Sequence, residues 1–303
     1  MRNRRNHRPY KQSLPDRIFE IGLATFMVLF CLTILYPIWD MVVTSFSKGY
    51  ESSALTFNAW PQTFSLDSYR YCLQDKDVYQ AFLITVLRTV CGTALTIIML
   101  TLVAYPVSKR DLPYRPAIVL FFVFPMFFSG GLIPTYMLIR NLGLIDNLLV
   151  YIIPGAFSAF SMLIFRNFLM AMDISMEESA YIDGANVLQM LFRIILPLSK
   201  PVVATLVLWT MVGHWNAWFD SLIYISSNSK IVIQLYLRRL MDNTALLSSD
   251  MQMFMALQEG GMEFSTRTVQ AAITVIVITP IICVYPFLQK YFVHGIMIGA
   301  VKG

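Results

Sequence analysis

Residues Asp173–Pro201 read DISMEESAYIDGANVLQMLFRIILPLSKP and separate two apolar stretches, Leu148–Met170 and Pro201–Ile225. This interval carries its own structural punctuation. Ser175 and Glu178 have the Ser-x-x-Glu spacing of a capping box, so a short helix is expected to start near Met176. Gly184 interrupts it, because glycine permits a sharp bend and the close approach of another backbone. A second helical stretch is expected from Asn186 to Ile195. Pro197 and Pro201 then mark the entry to the next apolar stretch, since proline suits a helix's first turn and breaks its interior. The outcome is a helix–glycine–helix element fixed at both ends to apolar segments. Helical physics alone leaves two uses open: docking in a groove of a soluble partner, or lying as an amphipathic helix on a membrane surface.

Outward from this element the chain is largely apolar. Of 303 residues, 57% are hydrophobic and 14% charged, against roughly 45–50% and about 25% in soluble domains. So large an excess cannot be hidden in a soluble core. Six stretches are long enough to cross a bilayer: Ile18–Trp39, Ala81–Val107, Pro116–Ile139, Leu148–Met170, Pro201–Ile225 and Val269–Phe292. The first follows a basic N-terminal arm but lacks an Ala-x-Ala cleavage pattern, so it is expected to be an uncleaved span. An even number of spans puts both termini on one side.

Basic residues decide which side that is. Arg2, Arg4, Arg5, Arg8, Lys11 and Arg17 lie in the N-terminal arm, Lys109, Arg110 and Arg115 after span two, and Arg166, Arg193 and Lys200 around the segment after span four. The opposite side holds two long segments, 45–80 and 226–268, in which Asp75, Asp77, Asp242, Asp250, Glu259 and Glu263 dilute the positive charge. The expected organisation is therefore a cytoplasmic arm (1–17), a single six-span domain (18–293) and a cytoplasmic tail (294–303). Within the domain, 173–200 faces the cytoplasm and 226–268 faces outward. Pro106, Pro125, Gly130-Gly131, Pro134, Pro154, Pro280 and Pro286 punctuate the spans. Broken helices persist in lipid where protein or a water-filled cavity satisfies the freed backbone groups, although proline and glycine are also simply commoner in membrane helices.

Cys31, Cys72, Cys91 and Cys283 have neither metal-ligand nor redox spacing, which supports no metal site and no disulfide framework. The chain has no Gly-x-x-x-x-Gly-Lys-Ser/Thr phosphate loop. No catalytic residue, bound cofactor or nucleic-acid partner is expected.

The segment after span four resembles the EAA loop of ABC importer permeases, whose pattern is Glu-Ala-Ala, three residues, Gly, nine residues, Ile, one residue, Leu-Pro. Here it is Glu178-Ser179-Ala180, Gly184, Ile194 and Leu196-Pro197; the one departure is Ser179 for the middle alanine. The chain is similar to the carbohydrate-uptake branch, including the second membrane subunit of the maltose system, on Ala104-Tyr105, Trp215-Asn216 and the ending Gly295…Gly299-Ala300-Val301-Lys302-Gly303. The ending YPFLQKYFVHGIMIGAVKG looks most like permeases for complex oligosaccharides.

That resemblance implies an all-α type I ABC importer permease fold in a prokaryotic cytoplasmic membrane. It implies alternating access driven by a separate ATPase, which holds the ATP and Mg²⁺. Its implied partners are a second homologous permease, two ATPase subunits or domains, an extracytoplasmic solute-binding protein, and a saccharide. Glu178 and Gly184 would form the docking elbow, with Ser179, Ala180, Asp183, Ala185, Ile194, Leu196 and Pro197 completing the coupling segment. Ala180, Ala185 and nearby apolar residues would contact the ATPase, while Glu178 would meet a basic partner residue or cap its own helix. Gly299, Lys302 and Gly303 would reach the ATPase from the tail.

For the solute, span five offers a polar patch of Thr210, His214, Trp215, Asn216, Trp218, Asp220 and Ser221. Aromatic faces suit the C–H surfaces of sugars, and ionisable groups within a span are functional candidates. The patch also lies toward the outer end of the helix, where Trp commonly marks the interface. Met251, Met253, Phe254, Met255 and Met262 give the outer segment an adaptable apolar face for a binding protein or for packing. A self-sufficient secondary transporter or channel would show paired intramembrane charges or inverted repeats, and the sequence displays neither clearly. A membrane enzyme would need a cluster of acids, but Asp173, Glu177, Glu178 and Asp183 fall inside the coupling pattern. A non-sugar solute is the remaining alternative.

Overall fold

A chain surrounded by lipid must satisfy its backbone groups internally, and a helix does so within one segment. The computed structural model describes residues 14–49, 59–242 and 264–300, which are mostly helical; their one β feature is an isolated bridge between Ser47 and Phe64. The helices are α1 (Leu14–Ser45), α2 (Asp67–Gln74), α3 (Lys76–Ser108), α4 (Arg115–Phe127), α5 (Leu132–Asn141) and α6 (Ala159–Met170). They continue with α7 (Ser175–Ile182), α8 (Val187–Leu198), α9 (Lys200–Asn216), α10 (Phe219–Tyr224), α11 (Ile233–Met241) and α12 (Thr266–Ala300). The basic arm before Leu14, the five outer-segment residues Met251 to Met262, and the terminal Lys302 and Gly303 lie outside the described residues.

Three helices, α1, α3 and α12, are long and apolar enough to cross a membrane unaided. Three bent pairs, α4 with α5 (115°), α6 with α7 (74°) and α8 with α9 (81°), raise the number to as many as six when each pair is counted as one span. The stretches expected to cross at 116–139, 148–170 and 201–225 are each interrupted, and each break has a cause. Between α4 and α5, Gly131 takes φ +83°, a conformation open to glycine. Span four is α-helical only from Ala159, because Pro154 and Gly155 interrupt the stretch behind a 3-10 turn at Leu148–Tyr151. There, Thr96 Oγ1 donates to the Gly155 carbonyl at 3.4 Å, supplying from α3 what the broken helix lacks. Span five stops at Asn216 and resumes at Phe219, with Ala217 extended between them.

The chain divides into two compact units, Met1–Tyr69 with Gly261–Val275, and Arg70–Gly260 with Ile276–Gly303. In the first, Trp39 Nε1 donates to the Ala59 carbonyl (2.9 Å), Phe46 stacks on Phe64, and Ser45 meets the Tyr69 hydroxyl at 2.8 Å. The apolar part of α1 is exposed along its length, as suits a helix facing lipid or another subunit.

In the second unit α3 is the central post, packed against α6, α9 and α11. Helices in lipid associate through close packing, since lipid tails are as apolar as leucine. Leu100, Ala104 and Tyr105 of α3 accordingly interlock with Met162, Phe165 and Leu169 of α6 and Leu206 of α9. Gly92 lets α9 come close: a Cβ there would lie 2.6 Å from the His214 imidazole. The amphipathic α11 buries Ile233, Leu235, Leu237 and Leu240. Its Ile233 N–H donates to Thr85 Oγ1 (2.9 Å), and its Tyr236 hydroxyl donates to Asp75 (2.6 Å).

Candidate coupling segment and solute passage

The interval between spans four and five folds as two arms around one glycine. The first arm is α7, which starts a residue before the expected Met176 and without the expected capping box. Ser175 is already helical, and the carboxylate of Asp173 accepts its N–H at 3.0 Å. The shorter Asp173–Ser175 bridge therefore displaces the Ser-x-x-Glu arrangement, leaving the side chain of Glu178 exposed. At the far end Gly184 has φ +79°, its N–H donates to Tyr181 O (3.0 Å), and the Ala185 N–H donates to Ala180 O (2.9 Å). Those two bonds with a left-handed glycine form a Schellman stop, so the glycine of the pattern is demanded by backbone geometry. Asp183 caps the helix just before it.

The second arm begins with the capping box missing from the first. Asn186 accepts the Gln189 N–H (2.8 Å), and Gln189 accepts the Asn186 N–H (3.1 Å). It then widens to a π-helical turn over Leu191–Ile195, where Leu196 N–H reaches back to Leu191 O. Pro197 has no N–H to give Arg193, which is a physical reason for the ladder to slip just before it. Met190, Leu191 and Ile195 are buried in the core made by α3, α6 and α9, with Ile194 and Leu196 half-buried against it. Leu196 and Pro197 also line a cavity of about 620 Å³ with Ile97, Thr101, Phe192 and Lys200.

Of the two alanines expected to meet a partner, Ala180 is withdrawn from the surface and Ala185 is half-buried. Ala180 is buried in the chain's own core and Ala185 packs against that core. The apolar side chains left outside include Ile174, Tyr181, Ile182, Val187 and Leu188, with Ile182 86% exposed. Glu177, one of the acids counted within the coupling region but given no partner from sequence, forms an ion pair with Lys109 at the end of α3. Gly299, expected in a tail over 294–303, lies in the last turn of α12.

The patch in span five does not gather around one open site. Trp215 is buried, with its Nε1 donating to Val277 O at 3.1 Å and its ring edge-on to Phe82. His214 sits against Gly92 and Gly155. Asn216 is exposed and returns its side-chain amide to Val212 O (3.0 Å). Asp220 is held by both guanidinium arms of Arg88, one of which also donates to Ala217 O at 2.9 Å. A buried arginine thus anchors the break between α9 and α10, and the Tyr151 ring lies against its guanidinium at 4.9 Å. The expectation of no clear intramembrane charge pair is corrected by Arg88 and Asp220. The partners are 132 residues apart in the chain, so proximity along the sequence carried no signal. Trp218 is half-buried beneath the guanidinium of Arg238, 3.9 Å from its ring, while the Arg238 side chain is about half exposed.

A clamp closes the other end of this region. Asp146, in a left-handed conformation that aspartate tolerates, accepts the N–H groups of Ser226 (3.2 Å) and Ser227 (3.0 Å). It also accepts the Ser227 hydroxyl (2.6 Å) and pairs with Lys230 (2.9 Å). The Ser227 hydrogen bonds, followed by Lys230, hold its carboxyl well below the usual carboxylate range. In the short helix α2, burial and then nearby Asp75 push the Cys72 thiol up to about 12. Among the described residues no group of three His, Cys, Asp or Glu is placed to hold a metal ion.

Comparison with known proteins covers nearly the whole chain. Residues 92–298 match the family described as binding-protein-dependent transport system inner membrane component. A polygalacturonan/rhamnogalacturonan transport system permease protein, YtcP of Bacillus subtilis (strain 168), is 37% identical over 96% of this chain and 100% of its own. Protein LplC of the same organism is 36% identical over 95% and 96%. A chain from the crystal structure of a bacterial ABC transporter involved in the import of the acidic polysaccharide alginate superposes with a TM-score of 0.86. It shares 34% identity and covers 93% of this chain and 99% of that one. The matched residues include the second half of α3, both arms of the coupling segment and the bent fifth span, so the chain belongs to the binding-protein-dependent transport system inner membrane component family.

Proposed function

We propose that the chain is one of two permease subunits of an ATP-driven importer and that its solute is an oligosaccharide rich in uronic acid. The observation that carries the importer reading is the two-armed segment around Gly184. Its inner face is packed into the spans and its outer face presents apolar side chains and Glu178. A rigid hairpin of this kind docks in a cleft and transmits movement. In this reading the segment and both termini face the cytoplasm, an ATPase partner binds ATP and Mg²⁺, and a solute-binding protein delivers the sugar to the opposite face. Nucleotide closure biases two arrangements of the spans, and alternation between them moves the solute.

The substrate class rests on the relatives, which handle polygalacturonan, a polymer of galacturonic acid, and the acidic polysaccharide alginate. Arg238 over Trp218 suits such a ligand, since its half-exposed guanidinium, 3.8 Å from Asp242, can exchange that carboxylate for the ligand's. The Arg88–Asp220 pair invites the rival reading of an ion-coupled carrier. Its geometry is that of a brace: Arg88 is 3% exposed and also holds the carbonyl at the break in span five. Uptake into proteoliposomes containing the complete importer tests both points. Oligogalacturonate should enter with ATP and independently of an ion gradient, and Arg238→Gln should raise its KM. Equal uptake of neutral oligosaccharides would overturn the uronate reading, and gradient-driven uptake without ATP would overturn the importer reading.

A further inference from the structure

We propose that Lys109 and Glu177 form a strut by which the first arm of the coupling segment moves the cytoplasmic end of span two. This rests on the coupling role given above and assigns a positioning role to two residues outside the Glu-Ala-Ala pattern. Lys109 is the residue at which α3 ends; its backbone is extended and its N–H closes on Pro106 O at 3.1 Å. Its ammonium group pairs with Glu177 and stands 4.4 Å over the ring of Tyr105, which is itself buried. The two charged side chains are 27% and 19% exposed, so the pair is sheltered from screening that would weaken a surface pair.

Three observations make this pair a mechanical link. First, α7 is short, and Ala180 is its single buried residue. The pair therefore adds a charged anchor to a helix that sinks one side chain into the core. Second, Glu177 lies in the first turn of α7, where a carboxylate is favoured by the helix dipole, so the anchor adds no local strain. Third, the carbonyl of Val107, two residues before Lys109, accepts hydrogen bonds from Arg115 (2.9 Å) and Arg166 (3.3 Å). The end of α3 is thereby joined to α4 and α6, and a pull on Lys109 reaches all three helices.

Adjacent carboxylates thus divide the work. Glu177 turns inward to Lys109. The side chain of Glu178 is exposed and its carboxylate pairs with no described residue, which leaves it available to the ATPase.

The test uses the whole importer in lipid nanodiscs and proteoliposomes. It compares wild type with Glu177→Gln, Lys109→Gln and the exchange Lys109→Glu/Glu177→Lys. Two quantities are read: the ATPase retained on the permease, and solute transported per ATP hydrolysed. Each single variant should retain the ATPase and lose at least about fivefold in transport per ATP, the low end of the usual range for coupling between sites. The exchange should restore most of the loss. Unchanged transport per ATP in both single variants, or an exchange no better than either, would overturn the strut. Loss of the ATPase from Glu177→Gln would also overturn it, by making Glu177 a docking residue. Failure of the coupling reading itself would look different, because the wild-type chain would then retain no ATPase.

Discussion

Replacing Asp220 by alanine leaves the guanidinium of Arg88, whose side chain is 4% exposed, with the carbonyl of Ala217 as its remaining described acceptor. Breaking a buried ion pair by removing one partner costs about 3–5 kcal/mol. The Asp220 side chain is 25% exposed, so water replaces part of what is lost and the low end, about 3 kcal/mol, applies. At about 2–4 °C per kcal/mol for larger domains, the melting temperature of the detergent-solubilised protein should fall by roughly 6–12 °C. Removing both charges, in Arg88→Met/Asp220→Ala, should regain most of the loss, because no unpaired charge stays buried. The assay is the temperature at which the monodisperse size-exclusion peak disappears. Asp220→Ala melting within 2 °C of wild type, or the double variant melting below it, would refute the brace and return Asp220 to the candidate solute contacts.

Gly92→Val forces a branched side chain against His214 and should cost about 1–3 kcal/mol by overpacking, read as a lower melting temperature. His214→Ala in the same chain should recover it. At the glycine elbow the space is open and the backbone angle is the constraint, so Gly184→Asn should support uptake better than Gly184→Leu. Gly184→Leu should still reach the membrane yet lose the ATPase or its coupling, and normal ATP-driven uptake would remove Gly184 from the mechanism. Cys72, buried and with its thiol pushed up to about 12, should resist maleimide at pH 8 in the folded protein and react after denaturation in SDS. The carboxyl of Asp146 has its pKa lowered below the ordinary 3.8, so the clamp's stabilisation is complete above that value and fades as pH falls through the lower folded value. Amide exchange at Ser226 and Ser227, corrected for intrinsic rate, should therefore show constant protection from pH 8 to 5 and lose it in Asp146→Asn.

Much of the architecture is written in the hydropathy of the chain, because a bilayer imposes one length and one sign on each crossing segment. The elbow was legible for another reason: a left-handed residue between two short helices must be glycine-like, and Gly184 stands where the pattern demands it. Breaks inside the spans were harder to place. Pro154 and Gly131 flagged two of them, but the interruption at Ala217 depends on a hydrogen bond from Arg88 in a different helix. A lone arginine in an apolar run reads as a cost until its partner is known. The cap of α7 shows competition at short range, since Asp173 and Glu178 both offered a carboxylate and the one nearer the first turn's amide took it. The strut escaped notice because Glu177 looks like part of a generic acidic pair, and its inward turn follows from how α7 lies on α3.

On the proposed function, conduction of a sugar by this chain depends on an ATP-driven assembly. That dependence is tested most directly by purifying the tagged chain in mild detergent from its native host and identifying by mass spectrometry what accompanies it. The account predicts an ATPase bearing a phosphate-binding loop and a second, different permease of the same family. Recovery of this chain alone, stable and able to move solute after reconstitution without ATP, would contradict it.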